Sequence, residues 1–134
     1  MDPGDHVERL GERFVLWRTP QGDAGAIVDW PGCPLVVETG GTGLVVRAHV
    51  GSGGDADAGD DLDRAVSAEL GDLRVRYVEP AEQAWLVGED RGDLREICVR
   101  VAALAPVVAE QLVGSVDLDP PLTRFEERVD AGPW

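Results

Sequence analysis

Lysine and asparagine are absent from the 134 residues, and the chain holds one methionine, two cysteines, two histidines and 5% aromatic residues. All twelve basic residues are therefore arginines. Both missing amino acids use A-rich codons, so the bias reads as that of a GC-rich genome. Its chemical consequence is that no lysine amine is present for Schiff-base or general-base work, while arginine offers forked, permanently charged ion pairs. Two cysteines far apart, Cys33 and Cys98, read as buried thiols of an intracellular protein and not as a disulfide framework. No paired-cysteine motif occurs, and His6 and His49 lie far apart, so neither a metal site nor a cofactor is expected. No apolar run approaches the ~20 residues of a membrane span. The opening Met1-Asp2-Pro3-Gly4-Asp5 is acidic and polar, unlike a secretory leader. A cytoplasmic protein with no membrane association is expected.

What is abundant is negative charge and glycine. Asp and Glu number 26, the net charge is −14, and glycine occurs 17 times. The acidic excess is steepest in residues 51–70, with six acids against one arginine. Such a field repels phosphate backbones, which argues against nucleic acid, and suits a basic protein surface as partner. Hydrophobic residues at 43% and charged residues at 28% fit a folded globular chain. The length fits one domain, 1–134, with an acidic Gly-rich loop at about 51–60 and a tail at about 120–134.

Along the chain, residues 1–12 open with a short helix for which Asp5 is the candidate cap and Glu8 its reciprocal partner, with Val7 and Leu10 facing inward and Gly11 ending it. Strands are predicted over 13–18, 26–30, 35–39 and 44–50, punctuated by Pro20, Pro31, Pro34 and the Gly40-Gly41-Thr42-Gly43 turn. In the fourth strand Leu44, Val46, Ala48 and Val50 share one face, while Val45, Arg47 and His49 share the other. A helix is predicted over 61–70, strands over 73–79 and 84–87, and a long helix from Asp93, its cap, to Gly114. Pro106 predicts a kink or two abutting helices there. A short strand over 115–119 and a helix or arm over 122–129 complete the reading. Short turns between consecutive strands imply antiparallel pairing. The fold class is α+β: a mostly antiparallel sheet of five to seven strands with two main helices packed on one face.

No assembled catalytic motif is visible. The loop Asp55-Ala56-Asp57 superficially resembles a calcium loop, but its fifth and sixth positions are Gly59 and Asp60 and its twelfth is Val66, so the oxygen-ligand register fails. No nucleophile-elbow pattern surrounds Ser52, and the Gly-rich loops lack the lysine of a phosphate-binding loop. The leading expectation is a small acidic interaction module, antitoxin-like, adaptor or chaperone-like, which binds a basic protein through Asp55, Asp57, Asp60, Asp61, Asp63 and an exposed Trp30. The alternative is a small-molecule-binding protein or enzyme with a pocket between sheet and helices, where His49 is oriented by Asp29 or Glu38 and joined by Tyr77 and Glu79. A homodimer through exposed strand edges or the long helix is the third reading.

Overall fold

Strand alternation in the sequence becomes a two-faced sheet. The computed structural model describes residues 3–18, 24–40, 43–53, 72–78, 83–116 and 119–131. Six strands, β1 (Phe14–Arg18), β2 (Ala24–Val28), β3 (Leu35–Thr39), β4 (Leu44–Ser52), β5 (Arg74–Val78) and β6 (Gln83–Glu89), form one antiparallel sheet in the order β1-β2-β3-β4-β6-β5. The first four strands are neighbours in chain order. The last hairpin then reverses, so that β6 sits against β4 and β5 takes the edge. Three helices accompany the sheet among the described residues: α1 (Pro3–Glu8), α2 (Leu94–Val116) and α3 (Phe125–Ala131).

One face carries the apolar core. Val28, Val37, Val46, Ala48 and Leu86 point to it from the strands, and Ile97, Cys98, Val101, Ala105 and Val108 meet them from the stripe of α2. Asp93 caps that helix as its sequence suggests, its Oδ1 accepting from the Glu96 N–H at 3.3 Å. α1 lies on the same face with Val7 and Leu10 buried. Arg95 of α2 donates to the Leu10 carbonyl at 2.6 Å, which ties the turn after α1 to α2.

Among the described residues the expected α+β class holds, with six strands in the sheet. Several local boundaries differ. α1 begins at Pro3, so Asp5 lies inside the first turn and does not cap it; proline suits a first helical turn, where its missing N–H has no partner to lose. Pro106 lies inside α2 without dividing it into two helices. The helix also runs past Gly114 to Val116. A lone glycine costs a helix only about 1 kcal/mol, too little to end it here. Of the strand expected over 115–119, residues 115 and 116 belong to α2 and Asp119 makes an isolated bridge to Ser52, while 117 and 118 lie outside the described residues. The tail over 122–129 resolves into α3, which packs Phe125 on the second face of the sheet against Ile27, Val36 and Trp85. The helix predicted over 61–70 lies outside the described residues.

Candidate functional site

The second face is where the sheet becomes polar. Strand register places Val36, Arg47, Val87 and Arg74 in one row across β3, β4, β6 and β5, and His49, Trp85 and Arg76 in the next. α3 covers part of this face through Phe125, Val129 and Arg128. The remaining part is a concavity of about 670 Å³, lined by Val45, Arg47, Trp85 and Val87 on the central strands, with arginines and carboxylates around them. It opens on the side of the sheet opposite α2, not between the sheet and the long helix.

Arg47 is the unusual residue. It is 6% exposed, an expensive environment for a charge unless the charge is matched. Its Nε donates to Glu38 Oε1 at 2.8 Å and its Nη2 to Glu38 Oε2 at 3.4 Å. Its guanidinium lies over the Trp85 ring, Cζ 4.2 Å from the centroid, a cation–π contact strengthened by exclusion of water. Its Nη1 is buried and has no hydrogen-bond partner among the described residues. Arg128, fully buried, approaches the same indole at 4.9 Å. Burial, and then the charge of Arg47, lower the Arg128 pKa to about 10. Two guanidinium groups thus press on one tryptophan, and Glu38 pairs with the first of them.

The rim pairs incompletely. Arg100 donates to Asp72 at 2.5 Å, and Arg91 lies 3.6 Å from the same carboxylate; the Arg100 hydrogen bond, above all, holds Asp72 below the usual carboxylate range. Arg74 and Arg76, also on the rim, make no ion pair or hydrogen bond through their side chains among the described residues. A second concavity, of about 720 Å³, lies where α1 meets the start of α2, but its buried lining residues, Leu10, Leu44 and Leu94, are apolar.

His49 does a different job from the one its residue type suggests. It is buried beside Trp85, ring centroids 5.3 Å apart. Its Nδ1 accepts from the Leu122 backbone N–H at 3.0 Å, so the proton of the neutral ring is on Nε2, which donates to Ser52 Oγ at 3.0 Å. Burial, and then the nearby Arg128, push its pKa down to about 4. A neutral ring with both nitrogens engaged ties the segment before α3 to β4; its hydrogen bonds go to neither Asp29 nor Glu38.

The other expected site residues are engaged elsewhere or lie outside the described residues. Asp29, at the end of β2, pairs with Arg13 at 2.9 Å, and Arg13 also reaches Glu126 at 3.1 Å. Of the alternative set, Glu38 lines the concavity. Tyr77 belongs to β5, and Glu79 lies outside the described residues, as do Asp55, Asp57, Asp60, Asp61 and Asp63. Trp30 is half-buried against the first-face core, with Arg95 5.8 Å above its ring. Among the described residues no three His, Cys, Asp or Glu side chains gather in a metal-binding group. Burial raises the thiol pKa of Cys33 to about 11 and of Cys98 to about 12, so neither is a thiolate at neutral pH.

No protein-family model and no curated protein matches this chain. Its chemistry is therefore read from its own side chains. Sequence reasoning placed Arg47 on the face of His49 but missed Arg74, Arg76 and Trp85 as its neighbours. The alternation of Arg74-Val75-Arg76 was the available signal for two arginines on one face. Among the described residues no helix is long and apolar enough to cross a membrane.

Proposed function

We propose that this protein is a binding module and that the concavity over Arg47 and Trp85 is its ligand site. The observation that carries the reading is a space of about 670 Å³ with apolar side chains at its centre and charged groups around them. That volume and that composition are typical of sites for small organic ligands. The reading is recognition and not proton transfer, because the arginines stay charged at any working pH and the central carboxylate, Glu38, is engaged by Arg47. Two free thiols suit a reducing compartment, and the cytoplasm is the proposed setting.

The test is fragment binding followed by amide chemical-shift mapping on the full chain. Bound fragments are expected to shift Val45, Arg47, Arg76 and Val87, and Val87→Trp, which fills the space, is expected to abolish those shifts. Fragments that gather elsewhere, or that ignore Val87→Trp, would sink the proposal.

The net charge of −14 supports a second reading: an acidic adaptor, antitoxin-like or chaperone-like, for a basic protein surface. Its measurement is co-purification at rising ionic strength. Screening should release such a partner, and a partner held equally in low and high salt argues against it.

A further inference from the structure

We infer that the concavity takes a ligand with a phosphate-type dianion on an organic body, the anion gripped by Arg74 and Arg76 above Arg47. This deepens the proposed binding function and rests on it. The first support is a local reversal of charge. In a chain of net charge −14, the lining holds four arginines, Arg47, Arg74, Arg76 and Arg91, against Glu38, Asp72 and Glu89. Glu38 is engaged by Arg47, and Asp72 is shared between Arg91 and Arg100. Arg74 and Arg76 keep side chains without a hydrogen bond or ion pair among the described residues.

Register brings the cations together. Val87 of β6 is paired with Arg47 on one side and Arg74 on the other, and Trp85 is paired with Arg76. All three arginines therefore rise from one face within two strand spacings, roughly 10 Å, a gap that long arginine side chains can close. Guanidinium groups this close repel one another, a cost that a bound anion would relieve. Arg47 also keeps a buried Nη1 without a partner among the described residues.

The class of anion follows from the donors. A planar carboxylate matches a single guanidinium fork, and Glu38 already occupies Nε and Nη2 of Arg47. A phosphate monoester presents several terminal oxygens, which separate guanidinium groups can share. The space is too large for an inorganic ion alone, and Val45 and Val87 offer apolar contact to a carbon skeleton.

Calorimetric titration of the full chain with phenyl phosphate, inorganic phosphate, benzoate and neutral benzyl alcohol tests this, alongside chemical-shift mapping. Phenyl phosphate is expected to saturate the site, with inorganic phosphate weaker. Benzoate, and phenyl phosphate on the Arg74→Ala/Arg76→Ala double variant, should each be weaker by about tenfold or more, the scale of a lost charge-assisted contact. Arg74 and Arg76 are exposed, so that variant should retain the wild-type circular dichroism spectrum. Benzoate as tight as phenyl phosphate, or a double variant that binds phenyl phosphate like wild type, overturns the inference. Benzyl alcohol mapping to the concavity while phenyl phosphate does not also overturns it, and leaves the binding reading standing. If none of the four moves the amides of the concavity, both fail.

Discussion

A histidine whose Nδ1 accepts a hydrogen bond cannot take a proton there without losing that bond. His49 is in this position toward Leu122, and its surroundings, burial first and Arg128 second, hold its pKa at about 4 against an ordinary 6.5. The unfolded chain therefore binds a proton on this residue at a higher pH than the folded one does. Its contribution to stability is complete above pH 6.5 and is lost as pH falls toward about 4. At 1.36 kcal/mol per unit the loss is on the order of 3 kcal/mol. Denaturant titrations of wild type and His49→Gln across this window should diverge, with the wild type falling more steeply because glutamine does not titrate. Parallel curves would mean that the ring is not held neutral in the fold. The residue type suggested a base oriented by a carboxylate, but the alternation of β4 could only fix its face. What it meets there depends on the segment around Leu122, more than seventy residues away, and no local pattern reports that.

Between elements, contact is set by backbone approach as much as by apolar stripes. Gly88 of β6 faces α2, and a Cβ on it would stand 2.6 Å from Leu73 Cδ2 and 2.7 Å from Ile97 Cδ1. Gly88→Ala is expected to push Leu73 and Ile97 off their present rotamers in the packed core and to cost about 1–3 kcal/mol, the range of an overpacked core. Gly43→Ala is the control, since a Cβ there meets nothing nearer than the Asp90 carbonyl oxygen at 3.8 Å. Equal chemical-denaturation midpoints for the two variants would contradict this account of how β6 meets α2. The strands themselves were legible, because Leu44-Val45-Val46-Arg47-Ala48-His49-Val50 and Leu73-Arg74-Val75-Arg76 alternate by face and end at glycine or proline. The insertion of β6 between β4 and β5 was not. A hairpin can approach a sheet edge with either strand inward, and the choice rests on long-range burial: β6 is fully buried over Ala84-Trp85-Leu86, whereas Arg74 and Arg76 of β5 are exposed. Only that choice sets Arg47 and Arg74 on either side of Val87, so the candidate site became visible with the topology and not before.

At the scale of the molecule two electrostatic effects oppose each other, and salt separates them. Net charge of −14 on 134 residues produces self-repulsion that destabilises the compact state. Against it stand surface pairs such as Arg13 with Asp29 and Glu126, and Arg100 with Asp72. Exposed pairs are worth about 0–1 kcal/mol each and weaken with salt. The described pairs are few and the excess of acids is large, so repulsion should win. Raising sodium chloride from low to physiological ionic strength, where the Debye length falls to about 8 Å, should therefore stabilise the fold. A gain on the order of 1 kcal/mol would raise the melting temperature by roughly 3 °C for a chain of this size. Differential scanning calorimetry at neutral pH measures it directly. A melting temperature that falls with salt would reverse the ranking, making the arginine–carboxylate pairs the dominant electrostatic contribution. The stack of Arg47 on Trp85, shielded from solvent, should be nearly indifferent to the same change, because mobile ions do not enter the space between a buried cation and its ring.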